Sequence, residues 1–264
     1  MRAPLYQLDA FATRRFAGNP AAVVVVPDFP DATLMQKIAA ENNLSETAFV
    51  VPPPSSAGDY ALRWFTPKVE VPLCGHATLA SAAVVMERLE TARRQVTFRT
   101  ASGPLVVTRS DGGYVLNFPM RNPQPVAPPE ALTSALGVTP HEVHDDTFNY
   151  LAVLDSARAV RALAPDFAAL AALDRSGIVV TAPGDEGYDI VSRYFAPAKG
   201  INEDPVTGGA HCALTPFWTK RLRKHELRAW QASPRGGELH CRMAADRVEM
   251  EGACVFYLEG HIAF

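Results

Sequence analysis

The feature that most constrains this chain is that it repeats itself once. Residues 63 to 67 read Arg-Trp-Phe-Thr-Pro and residues 193 to 197 read Arg-Tyr-Phe-Ala-Pro, 130 positions apart. Asp59 and Asp189 stand ahead of them at the same offset. After a three-residue insertion, Glu70-Val-Pro-Leu-Cys-Gly-His-Ala77 faces Glu203-Asp-Pro-Val-Thr-Gly-Gly-Ala210 at an offset of 133. Glu70/Glu203, Pro72/Pro205, Gly75/Gly208, Ala77/Ala210 and Ala80/Ala213 are identical across the two blocks. Half of 264 is 132, so order and spacing describe two structurally related halves. The join falls in the proline-rich stretch from Pro119 to Pro129, a poor helix or strand and a natural linker. The expected domains are therefore 1–121 and 122–264, with the last strand free to pair back onto the first domain.

Each half has the same coarse α+β plan. Runs rich in β-branched and aromatic residues predict strands over 22–26, 47–51, 60–65, 178–181 and 189–195. A helix is expected from Asp31 to Asn42, with Asp31 as its N-cap. Helices are also expected after Gly75 and after Gly208. The first, Ala77-Thr-Leu-Ala-Ser-Ala-Ala-Val-Val-Met86, is apolar on nearly every side, as a helix wrapped by sheet would be.

Composition narrows the function classes. A net charge of −3 with no basic run gives no nucleic-acid footprint. No apolar stretch reaches the roughly 18 residues a membrane span needs. The opening residues lack the apolar run of a signal peptide, so a cytoplasmic enzyme is expected. Cys74, Cys212, Cys241 and Cys254 form no Cys-x-x-Cys pair, which argues against a disulfide framework. His141 and His144 share an H-x-x-H spacing without the flanking pattern of a zinc site, and no nucleotide loop is present; neither metal nor cofactor is expected.

Gly75 and Gly208-Gly209 stand where the two buried helices begin. Free N–H groups and partial positive charge at a helix start attract a carboxylate or phosphate, and glycine lets the ligand approach the backbone. The competing reading is a tight turn into a buried helix. What favours a site is the repetition: both copies keep the framework while the polar residues beside it diverge, His76 against Gly209 and Val71 against Asp204. Packed about a pseudo-twofold axis, the two helix starts would face one cleft.

Several blocks in fixed order resemble the PhzF family: Phe16-Ala-Gly-Asn-Pro-Ala-Ala-Val23, Asn43-Leu-Ser-Glu-Thr-Ala-Phe-Val50, Arg63-Trp-Phe-Thr-Pro67, Leu73-Cys-Gly-His-Ala-Thr78, Glu203-Asp-Pro-Val-Thr-Gly208 and Gln231-Ala-Ser-Pro-Arg-Gly-Gly237. The resemblance runs from about residue 6 to the C-terminus. It implies the diaminopimelate-epimerase-like fold, two pseudo-symmetric domains that each curl a sheet round a central helix, and a homodimer. It also implies an isomerase that needs no cofactor and acts on a small carboxylate-bearing molecule. By the same resemblance Glu46 is the catalytic acid/base, while His76 and Asp204 bind and orient the substrate. Gly75 and Gly208 offer backbone donors to its carboxylate, and Asn19 sits nearby. Family members commonly carry serine where this chain has Gly209, so the pocket there loses a hydroxyl and gains room.

The residues themselves leave alternatives. A carboxyl group in an apolar cleft keeps its proton more readily than one in water, which suits a group that lifts a proton from carbon and returns it elsewhere. Glu46 lies among Leu44, Ala48 and Phe49, although it would also serve as a turn residue beside Asn42-Asn43. His76 would also serve as a helix cap, and Asp204-Pro205 as a turn. A two-thiol racemase or epimerase needs a thiol on each side of one carbon. Cys74 has Thr207 as its repeat partner, so that chemistry lacks its second thiol and Cys74 reads as a packing residue. A small-molecule binding protein of the same fold without catalysis is the remaining alternative.

Overall fold

The computed structural model of the chain describes residues 2–55 and 58–264. Its elements run β1 (Arg2–Ala10), β2 (Asn19–Val25), α1 (Ala32–Asn42), β3 (Glu46–Val51), β4 (Tyr60–Phe65), β5 (Glu70–Val71) and α2 (Gly75–Val84). After them come β6 (Gln95–Thr100), β7 (Gly103–Ser110), β8 (Gly113–Pro119), β9 (Gln124–Val126), α3 (Glu130–Leu136), β10 (Glu142–Asp145) and β11 (Asn149–Val153). The remainder is α4 (Ala157–Ala162), α5 (Phe167–Ala171), β12 (Gly177–Pro183), β13 (Ile190–Ala196), β14 (Ile201–Glu203), α6 (Gly208–Leu222), β15 (Glu226–Gln231), β16 (Gly237–Ala244), β17 (Arg247–Gly252) and β18 (Cys254–Ala263). Two compact units result: Met1–Asn117 together with Glu251–Phe264, and Phe118–Met250. No helix among the described residues is long and apolar enough to cross a membrane.

Within the first unit the strands pair in the order β18, β1, β2, β3, β4, β6, β7. The senses are antiparallel, antiparallel, parallel, antiparallel, parallel, antiparallel. The second unit pairs β9, β10, β11, β12, β13, β15, β16 with the same six senses in the same order. The duplication read from the sequence is thus a duplication of topology. Its edge strand is supplied differently: β9 comes from the start of its own unit, whereas β18 comes from the far end of the chain.

Repeated residues recur as repeated contacts. Arg63 makes a two-pronged ion pair with Glu70, both contacts at 2.8 Å, tying β4 to β5. Arg193 does the same with Glu203, again at 2.8 Å twice, and also donates to the Val160 and Leu163 carbonyls. Glu70 and Glu203 are therefore framework residues.

The helix signals read from the sequence hold. Asp31 caps α1, accepting from the Leu34 N–H at 3.0 Å, and Asn43 closes the helix in the left-handed region at φ 47°. One face of β2 and β3 supplies Ala22, Val24 and Phe49 to α1, which answers with Met35, Ile38 and Ala39. On the opposite face lies α2, buried at every position after Gly75 and packed on β1, β2, β3 and β18. Its hydroxyls are satisfied locally, Thr78 donating to the Cys74 carbonyl and Ser81 to that of Ala77. Past Val84 the helix widens into a π turn over Val85–Leu89, where the polar Glu87 and Arg88 return.

One expectation needs correction. The proline-rich join is not devoid of strand: β9 lies within it and places Pro125 opposite His144 of β10. Proline lacks the N–H of a ladder residue, and an edge strand tolerates that loss.

Candidate active site

Alternation along β2 and β3 sends odd-numbered β2 residues and even-numbered β3 residues to the α2 face. Asn19 opens β2 and Glu46 opens β3, with Ala21 of β2 paired to Glu46 itself. Both are therefore delivered beside the start of α2, where Cys74 is the N-cap, Gly75 the first residue and His76 the second. The Cys74 side chain makes no cap bond, which leaves the first-turn N–H groups to another acceptor.

His76 is 4 % exposed and Asn19 fully buried. The Asn19 side-chain amide nitrogen is 3.1 Å from His76 Nδ1, and the Cys74 sulfur is 3.5 Å from the same nitrogen. On the other side of the ring, Nε2 is 3.1 Å from Glu46 Oε2. That contact is close but off the hydrogen-bonding axis: both atoms are buried and neither has a hydrogen-bond partner. Two acid/base groups thus stand side by side with bonding capacity to spare.

Burial alone would disfavour protonation of His76, but the negative charge that Cys74 and Glu46 can carry outweighs it and holds the imidazole well above its usual 6.5. Burial, reinforced by Glu46, pushes the Cys74 thiol up to about 11. The thiol is therefore neutral at pH 7. Glu46, Cys74 and His76 also form the one group of three potential metal donors among the described residues, within 4.8 Å of one another. Cys74 addresses Nδ1 and Glu46 addresses Nε2, so an ion on either nitrogen would leave one of them across the ring.

In the second unit the other expected residues gather at the start of α6. The Thr207 hydroxyl donates to Asp204 Oδ2 at 2.5 Å. Gln231, fully buried, accepts from the Thr207 N–H at 2.8 Å and donates to the Asp204 carbonyl at 2.7 Å. Gly208 is buried as the first helical residue, and a Cβ added to Gly209 would meet nothing within 4 Å. The H-x-x-H pair does not converge: His141 pairs with Asp155 and His144 with Glu142.

Asn19 was expected among the substrate-binding residues, but its bond to His76 was not, since it spans 57 positions, beyond any local pattern. One buried group escaped the sequence reading altogether. His211 lies one turn into α6 and is fully buried. Its Nδ1 donates to the Thr207 carbonyl at 2.9 Å, and burial lowers its pKa to about 4. The one signal for it was its place three residues after Gly208.

Comparison with known proteins agrees with this framework. The family described as phenazine biosynthesis-like protein (PhzC-PhzF) matches residues 8–260. An uncharacterised isomerase of Pseudomonas aeruginosa is 48 % identical over 262 residues, covering 99 % of each chain. The crystal structure of a PhzF-family protein from Enterococcus faecalis superposes with a TM-score of 0.95 at 44 % identity, covering 100 % of both chains. A predicted epimerase from P. aeruginosa, at 20 % identity with a TM-score of 0.77 and 99 % of both chains covered, shares the fold. The class these define is an isomerase on the diaminopimelate-epimerase-like α+β fold. Within that class the chain belongs to the PhzF family of phenazine biosynthesis-like proteins.

Proposed function

We propose that the protein moves a proton on a small carboxylate-bearing substrate, with Glu46 as the group that removes and returns it and no cofactor taking part. The observation that carries this reading is the pair of buried atoms, Glu46 Oε2 and His76 Nε2, 3.1 Å apart and without hydrogen-bond partners. A carboxylate is an acceptor, so it takes the proton; the neighbouring imidazole offers a donor to the oxygen on which charge develops. The uncapped start of α2 at Gly75 supplies backbone donors for the substrate carboxylate. Asp204, Gly208 and Gly209 belong to the same reading as substrate-binding residues, and a homodimer as its assembly. Two-thiol epimerase chemistry is disfavoured: Cys74 is held as the neutral thiol, and its repeat partner is Thr207, whose hydroxyl is bound to Asp204.

The test is turnover in heavy water. A panel of small unsaturated and hydroxylated carboxylic acids is incubated with the protein and followed by proton NMR. Deuterium enters carbon in the true substrate, and Glu46→Gln abolishes that exchange while the substrate still shifts the melting temperature. Unchanged exchange in Glu46→Gln removes Glu46 from its role. Stabilisation by a ligand that the wild type never converts would favour the non-catalytic binding protein. Sedimentation measures the dimer directly.

A further inference from the structure

We propose that Asn19 is a positioning residue that places the single proton of neutral His76 on Nε2. The imidazole is too buried for water to settle which nitrogen is protonated, so its neighbours decide. Two donors converge on Nδ1: the Asn19 amide N–H₂ at 3.1 Å from β2 and the neutral Cys74 S–H at 3.5 Å from the helix cap. An acceptor, Glu46 Oε2 from β3, lies 3.1 Å from Nε2. Of the other strands packed on α2, β1 carries the buried Asp9, which is bound to the Phe16 N–H. A bare Nδ1 satisfies both donors, and the proton then faces outward on Nε2. Because the Nε2–Glu46 contact is bent, that N–H is held near the carboxylate without being consumed by it. The hydrogen-bond geometry supports the assignment for the neutral ring, and in the protonated ring that Glu46 favours the Nε2–H is still present; its catalytic consequence, an N–H ready for a substrate oxygen, rests on the function proposed above.

Nitrogen-15 NMR of the full-length protein, labelled at histidine and read at alkaline pH where the ring is neutral, tests this without substrate. His76→Gln identifies the His76 signals by their loss. The wild type is expected to show a protonated, pyrrole-like Nε2 and a bare, pyridine-like Nδ1. Asn19→Asp replaces the donor with an acceptor and is expected to draw a proton onto Nδ1, changing the character of that resonance. A wild-type ring protonated at Nδ1 alone, with the Asn19 amide turned to present its oxygen, overturns the inference even if the variant does not fold. An Asn19→Asp spectrum identical to wild type overturns it too. Either result leaves the role of Glu46 standing, and failure of the heavy-water exchange leaves the tautomer untouched.

Discussion

Cys74 and His211 show how burial, more than residue type, fixes what a side chain can do. A thiol pushed up to about 11 contributes packing and a weak hydrogen bond, not a nucleophile. Cys74→Ser is therefore expected to keep most of the exchange activity, within about tenfold of wild type, measured by the same heavy-water assay. His211 titrates the other way. Its folded pKa of about 4 lies below the ordinary 6.5, so between those values the unfolded chain binds more protons. The stability His211 preserves is complete above pH 6.5 and is lost as the pH falls toward 4. Urea unfolding of wild type across that window should show the loss, and His211→Gln should flatten it. Glu46 and His76 were legible in the sequence because their motifs and repeat positions stand out. Asn19's contact was not, because only the alternation of β2 against a distant helix start creates it.

At the scale of elements, the two matched ion pairs brace the same joint at different depths. Arg193 and Glu203 are 10 % and 12 % exposed at the side chain, against 30 % and 39 % for Arg63 and Glu70. Breaking the buried pair strands a charge, so Arg193→Ala should cost about 3–5 kcal/mol in denaturant unfolding. Arg63→Ala, with its partner in solvent, should cost less than about 1 kcal/mol. Equal losses would mean that the shared strut does the same work in both units. Gly209→Ser should fold within about 0.5 kcal/mol of wild type, since its new atoms enter open space; a changed ranking of substrates in the carboxylic-acid panel would place Gly209 at the ligand. Most elements were readable from the chain because their signals are local: the Asp31 cap, the apolar α2, the β-branched runs. The strand at Gln124–Val126 was not, because composition argued against it and only its partner β10 makes it a strand.

The whole molecule is a duplication in which one copy is closed by the other end of the chain. β18 lies antiparallel along β1 from Arg2 opposite Ala263 to Ala10 opposite Cys254, with one irregularity between Gln7 and Leu8. The sequence reading left the last strand free to pair back onto the first domain, but the register of that return, with partners 244 to 261 positions apart, leaves no local trace. Translation proceeds from one end, so nearly the entire second unit emerges before the strand that covers β1 has been made. Until then the nascent first unit carries an open edge, the kind of surface to which a stray strand or a holding chaperone binds. The first unit to begin folding is thus the last to be finished.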